Sequence, residues 1–280
     1  YMNKKIKNIP DKALTHGGRF HADDVFSAAL LTYLNPDIVI ERGTVVPDDY
    51  SGIVFDIGLG EYDHHQKDRK TRENGVPYAA FGLLWKEFGS EILGDVSVSE
   101  FDENFVQMID LTDNTGKKNE VSTIISEFNI AWDSEESQDE AFYEAKEFAL
   151  TILKKKFETI KSIDRAKNYV KLNIEKAKNR ILVLPKAVPW KEAVMGTDIE
   201  FVIFPSDRGG YMAQCVPISE ETNKLKVFFP KEWRGKTSEE LWQITKLKIQ
   251  FCHNNGFIIS VSTKEDAIEA CKLAKQLSDT

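Results

Sequence analysis

Residues 51–66 read SGIVFDIGLGEYDHHQ, and the rest of the chain is ordered around them. Ile53-Val54-Phe55 is a short apolar run of the kind that forms a buried parallel strand. Asp56 follows it directly, and Asp63-His64-His65 begins seven residues after Asp56. An open α/β sheet presents its ligand-binding groups at the carboxyl ends of its strands. Two carboxylates and two imidazoles near one such end suit a divalent cation. Taken alone, the same residues also read as an exposed charged turn.

The placement of the histidines favours the metal. Four of the five, His16, His21, His64 and His65, fall in two tight groups within the first 65 residues, and His253 is the fifth. Residues 12–15 read as a first strand ending at His16. Gly17-Gly18 makes a turn, and Arg19-Phe20-His21-Ala22-Asp23-Asp24 leads into an apolar helix over 25–31 that stops near Asn35-Pro36. Asp23 and Asp24 stand at the helix N-terminus, where a carboxylate caps and meets the helix dipole. One can cap while the other binds metal. Residues 38–40 read as a second strand. Strands alternating with helices predict a parallel sheet, which brings both His/Asp groups to one edge.

Further along, residues 71–77 form a polar turn whose Arg72 is read either as a contact for an anionic substrate or as a solvated charge. Pro77 opens a helix over 78–88, with Phe81, Leu84, Trp85 and Phe88 on its core face. A helix over 100–111 ends at Asp110 and Asp113, which either stop it or complete the metal cluster. Residues 138–180 are charged and helical. Strands follow at 181–184, 200–204, 211–216, 226–229, 249–253 and 256–261, with helices at 189–195, 237–244 and from 263 onward. The predicted architecture is α/β: a metal-binding domain over 1–135 with a parallel sheet flanked by helices, a helical linker over 136–180, and a smaller mixed α/β substrate-binding domain over 181–280. Arg208, Arg234 and His253 lie in polar turns of that last part. A guanidinium binds phosphate bidentately, so these are the expected substrate contacts there. Trp233 reads as a base-stacking residue or, more plainly, as core.

Composition limits the partners. With 280 residues, 41% hydrophobic and 29% charged, the chain has enough apolar surface for two modest domains. A net charge of -8 argues against a broad basic surface for duplex nucleic acid but permits a local groove for a short strand. Cys215, Cys252 and Cys271 show no paired spacing and read as free thiols of a reducing compartment. No apolar run has the length of a membrane span and no signal-peptide pattern is present, so a cytoplasmic protein is expected. The sequence leaves monomer and homodimer open.

In order along the chain, THGGRFHADD, VFDIGLGEYDHHQ and DLTDN resemble motifs of the DHH phosphoesterase superfamily. ILVLPKAVPWKEAV, RGGYMAQCVP, FFPKEWRG and FCHNNGFI extend the resemblance over nearly the whole chain, to one branch, the melanocyte-proliferating-gene protein family. The resemblance implies a DHH-type N-terminal domain, a C-terminal domain closing a cleft over the active site, and two divalent ions, usually manganese or magnesium. It implies hydrolysis of phosphoester or phosphoanhydride bonds, and its eukaryotic members are described as 3′–5′ RNA exonucleases. His21 departs from the aspartate usual in the superfamily, and His253-Asn254-Asn255-Gly256 stands where a glycine-rich phosphate motif is expected.

Residues and resemblance together predict a two-metal hydrolase with Mn2+ preferred to Mg2+. The expected ligands are His16, His21, Asp23, Asp56, His64 and one of Asp110 or Asp113. Asp56 is the expected bridge, and Asp56, His64 and His65 stand nearest the chemistry. Three functions compete: an exonuclease on short single-stranded RNA or DNA, a phosphohydrolase for pyrophosphate or a dinucleotide, and a non-catalytic nucleotide-binding module.

Overall fold

The computed structural model describes residues 9–219 and 224–278. The chain divides into two compact units, with the division between Lys161 and Ser162.

The first unit opens with β1 (Lys12–His16), α1 (Ala22–Leu34), β2 (Val39–Gly43) and β3 (Ile53–Val54). The three strands form a parallel sheet in the order β2-β1-β3. Parallel pairing requires crossovers, and α1 supplies the first of them. That helix is apolar almost all round: Val25, Phe26, Ala28, Ala29, Leu30 and Leu31 are fully buried. It therefore lies inside the unit, between the sheet and the later helices. Helices α2 (Ala80–Ile92), α3 (Asp95–Phe101), α4 (Gln107–Thr115) and α5 (Glu120–Ser126) follow. A π-helical turn, Asp102–Val106, joins α3 to α4. Phe26 packs on Phe81 of α2 and on Phe105 of the π turn, with ring centroids 5.5 and 5.3 Å apart. Burying such a ring contributes roughly 1.5–3 kcal/mol.

Two local expectations shift. The helix expected over 78–88 begins at Ala80, because Pro77 pairs with Thr71 in an isolated bridge and its carbonyl accepts from Arg72 Nη1. The helix expected over 100–111 runs from Asp95 to Thr115, with the π turn inside it.

Gly82 on α2 marks a close approach. A Cβ there would collide with Asp110 Oδ2 and stand 2.7 Å from Arg72 Nη2. Gly82→Ala is therefore expected to lower stability by about 1–3 kcal/mol through overpacking. Urea unfolding of the two proteins checks this, and equal midpoints would contradict it.

Helix α6 (Gln138–Ile174) is one continuous element. Phe142, Ala145, Ala149, Leu153 and Phe157, on one stripe, belong to the core of the first unit. Val170, past the division, belongs to a core of the second.

The second unit contains β4 (Ile181–Val183), α7 (Lys191–Val194), β5 (Phe201–Pro205), β6 (Tyr211–Cys215), α8 (Ser238–Thr245), β7 (Ile249–Cys252), β8 (Ile258–Val261) and α9 (Lys264–Ser278). Its mixed sheet has the order β4-β5-β6-β8-β7, parallel only between β4 and β5. Successive residues of a strand point to opposite faces. Accordingly Ile181, Phe201 and Ile203 pack with α9 and Trp233, while Leu182 and Val202 pack with Val170 and Trp190. Residues 226–229, expected as a strand, are irregular. Lys226 N bonds to Val216 O and Phe229 N to Gly256 O, single bonds to different segments rather than a ladder. Cys215, Cys252 and Cys271 are buried and unpaired. Among the described residues no helix is long and apolar enough to cross a membrane.

Candidate metal centre

The parallel sheet delivers the site. His16 is the last residue of β1, and Asp56 follows the end of β3, the neighbouring strand. Asp56 has φ +54°, a left-handed conformation that a side chain adopts at some cost and that recurs at functional sites. The loop from His16 to His21 is held from two sides. Arg42 donates to Gly18 O at 2.6 Å, and the Asn129 amide bonds to both Phe20 N and Phe20 O at 3.0 Å. Asp23 and Asp24 occupy the first turn of α1, fully buried, and Asp113 comes from the last turn of α4.

These side chains converge in three neighbouring sets, two of which share Asp56. His16, Asp24 and Asp56 form one; Asp56, Asp63, His64 and His65 form the second; His21, Asp23 and Asp113 form the third. His16 Nε2 stands 3.1 Å from Asp24 Oδ2 and 3.3 Å from Asp56 Oδ2. His64 Nδ1 stands 3.3 Å from Asp56 Oδ1 and 4.0 Å from Asp23 Oδ2, and its Nε2 is 2.7 Å from Asp113 Oδ2. His21 Nδ1 is 3.5 Å from Asp113 Oδ1. Asp56 thus faces a histidine with each of its oxygens, as a carboxylate shared between two positions would. Asp63 accepts from His65 Nδ1 at 2.6 Å, and the His65 ring stacks on His64 at 4.3 Å. All of them except Asp23 and Asp24, which are fully buried, line an open cleft of about 560 Å³.

So many buried carboxylates require compensation. Burial and the charges of Asp56 and Asp113 push Asp23 well above the ordinary carboxylate range. Asp24 and Asp56 beside His16 outweigh its burial and raise its pKa to about 10. For His64, burial works against the charged ring, but the Asp113 bond prevails and raises it, while Asp113 itself is lowered. Both oxygens of Asp23, Asp24 Oδ2, Asp56 Oδ1 and His64 Nδ1 are buried without a hydrogen-bond partner. Asp24 Oδ2 is close to His16 without the alignment of a hydrogen bond. Buried polar atoms left unpaired this way cost roughly 1–3 kcal/mol each. Atoms aimed at shared points rather than at one another, with both imidazole and carboxylate donors, fit divalent cations.

The structure brings together His16, His21, Asp23, Asp56, His64, His65 and Asp113. Asp110 lies apart from these sets: its carboxylate accepts from Arg72 Nη2 at 2.8 Å and from Gly82 N at 3.0 Å. Between the two aspartates expected from α4, only Asp113 faces the cluster. Arg72, read as a substrate contact, is buried; it holds Asp102 bidentately at 2.7 and 2.6 Å and stacks over Tyr78. Its guanidinium is used inside the fold. Arg208, Arg234 and His253 belong to the second unit. Arg208 is exposed in a turn, Arg234 donates to Phe229 O, and His253 Nδ1 accepts from Asn255 N. Trp233 is core.

Two residues gained weight on folding. Asp24 caps, taking His21 N at 2.9 Å on Oδ1, and still turns Oδ2 to His16. The carboxylate doublet could have signalled this double use. Arg69 lines the cleft. A lone arginine in a run of charges gave no signal for it.

These features define a candidate divalent-cation centre at the carboxyl edge of a parallel α/β sheet. The family described as "Uncharacterised protein family (UPF0160)", MYG1_exonuc, matches residues 12–275, and the chain belongs to it. The MYG1 protein of Dictyostelium discoideum is 26% identical over 91% of this chain and 93% of its own. MYG1 protein C694.04c of Schizosaccharomyces pombe is 28% identical over 94% and 97%. The MYG1 exonuclease of Homo sapiens is 26% identical over 94% and 85%. No solved structure matches the chain.

Proposed function

We propose that this chain is a two-cation phosphodiester hydrolase, acting as a 3′–5′ exonuclease on short single-stranded RNA or DNA. The observation that carries the reading is the set of buried oxygens of Asp23, Asp24 and Asp56 that take no hydrogen bond, gathered with the histidines that line the cleft. The name exonuclease, borne by the human, rat, mouse and bovine relatives, supports the choice of reaction.

His16, Asp24 and Asp56 would hold one cation. Asp23, His64, Asp113 and His21 would hold the other, with Asp56 turned toward both. Bound cations supply charge for the attacking and leaving oxygens and make water acidic enough to attack near neutral pH. The protein supplies the rest. Asp63 Oδ1 accepts a hydrogen bond from His65 Nδ1–H, which orients the ring and leaves Nε2 unprotonated on an exposed ring at the cleft wall. That nitrogen, a lone-pair acceptor in this tautomer, can take a hydrogen bond from a water or a substrate hydroxyl in the cleft. The net charge of -8 disfavours duplexes, which bind through many phosphates, and a short strand needs few.

The test is a substrate panel with Mn2+: di- to pentanucleotide RNA, duplex DNA and pyrophosphate. Release of 5′-nucleotides from the short RNAs, faster than any cleavage of duplex, is the expected result. Pyrophosphate hydrolysis with inert oligonucleotides would replace the reading by a small-substrate one. Bound manganese with no hydrolysis would replace it by a non-catalytic role.

The protonation of His16 makes a further expectation. Its pKa rises on folding from 6.5 to about 10 in the metal-free protein. The stability this adds is full below 6.5 and is lost as pH climbs through about 10. A cation needs the neutral ring, so it must displace that proton. Mn2+ affinity should rise steadily between pH 6.5 and 9, with protons released on binding. Calorimetry in two buffers of different ionisation enthalpy checks it; identical heats would contradict it.

A further inference from the structure

Once His16 has given up its proton to bind a cation, the metal cleft keeps little positive charge of its own. Its metal-facing sets contain five carboxylates, Asp23, Asp24, Asp56, Asp63 and Asp113. Two divalent cations do not overcompensate them, so a filled centre offers an incoming anion no excess charge. Among the residues lining the cleft, Arg69 alone carries a permanent positive charge.

Arg69 is exposed and, among the described residues, forms no hydrogen bond or ion pair, although Asp56, Asp63 and Asp113 line the same cleft. Arg72, three residues on, is committed to Asp102 and Asp110. The loop carrying Arg69 is braced on both sides. Asp63 Oδ2 accepts from Leu59 N at 2.7 Å, and Gln66 Nε2 donates to Gly60 O at 2.6 Å. Just beyond, Tyr78 N donates to Lys70 O at 3.0 Å. Arg69 therefore leaves a fixed stretch of backbone, and only its side chain is uncommitted.

We propose that Arg69 grips a second phosphate, the one next to the scissile phosphate, and so selects substrates with two successive phosphodiesters. The inference rests on the reading of the centre as a two-cation phosphodiesterase. The cations and their ligands take the oxygens of the scissile group. A guanidinium at the cleft wall is left for its neighbour, which it can hold through two parallel N–H···O bonds. A substrate with one phosphodiester has nothing to offer Arg69.

The test uses the full chain loaded with Mn2+ and two uncleavable probes, a dinucleotide and a trinucleotide joined by methylenephosphonate linkages. In the wild type the trinucleotide should bind about tenfold more tightly, the scale of a charge-assisted hydrogen bond of about 1.4 kcal/mol. In Arg69→Ala the two probes should bind about equally, and Arg69→Lys should restore part of the gap. With cleavable RNA, the same variant should raise the trinucleotide KM more than it lowers kcat. An unchanged gap in Arg69→Ala overturns the proposal and returns Arg69 to a solvated loop charge. An equal loss for both probes also overturns it, since Arg69 would then serve the scissile group or the fold. Because the probes are not cleaved, this result stands apart from whether the wild type hydrolyses RNA. Absence of hydrolysis with both probes bound would sink the proposed function and leave the Arg69 contact in place.

Discussion

Asp56→Asn is expected to abolish hydrolysis and to release at least one cation while the fold stays intact. Asp56 is the one carboxylate common to two of the three converging sets, with Oδ2 near His16 and Oδ1 near His64. Asparagine keeps the size and one acceptor but loses the charge that lets one group serve two cations. Outer partners of metal ligands typically cost about 10–100-fold in affinity or activity when removed. A shared ligand should cost more than that upper bound. The fold should survive because Oδ1 holds no protein hydrogen bond and the amide keeps one oxygen that can still face His16 Nε2. Steady-state kinetics with elemental analysis decides the matter, with circular dichroism as the fold control. Wild-type turnover with two retained ions would refute the bridging role.

Arg72→Met should strongly destabilise the first unit. It would leave Asp110, fully buried, and Asp102 without their shared cation. Breaking a buried pair from one side costs about 3–5 kcal/mol, because the remaining charge is stranded. Burial already pushes the Asp110 carboxyl up to about 7, against the pull of Arg72. Removing the guanidinium removes that pull. At about 2–4 °C per kcal/mol for a unit of this size, the first transition should fall by roughly 10 °C. Arg72→Lys should recover only part, since an ammonium lacks the planar fork that spans Asp102. Differential scanning calorimetry measures both. A transition within 2 °C of wild type, an interval of about 1 kcal/mol or less, would show that the network carries no stability.

Arg72 also shows where sequence reading stops. Periodicity and the strand-end rule were enough to place His16, Asp56 and the Asp63-His64-His65 triplet on one sheet, because strand alternation is a local signal. Arg72 and Asp102 stand thirty residues apart in sequence, and nothing local announces that they meet. The π turn at Asp102–Val106 carries no pattern of its own either. The same limit explains Asp110 and Asp113, one helical turn apart: only packing against α2, at the bare backbone of Gly82, commits the first to Arg72. In the second unit, alternation correctly marked the strands that pair in a ladder. It also marked residues 226–229, where Phe229 is buried and Val227 packs on the core through loop contacts while Phe228 stays exposed. For Arg69, exposure and lack of a partner are properties of the fold alone.

The most direct measurement of the central claim is the number of manganese ions bound by the wild-type chain. The apoprotein, prepared with a chelator and dialysed, is titrated calorimetrically at pH 8, and bound metal is then counted by elemental analysis. Two Mn2+ per chain, with the second lost in Asp56→Asn, is the predicted result. One ion or none in the wild type, with the protein folded, would contradict the account.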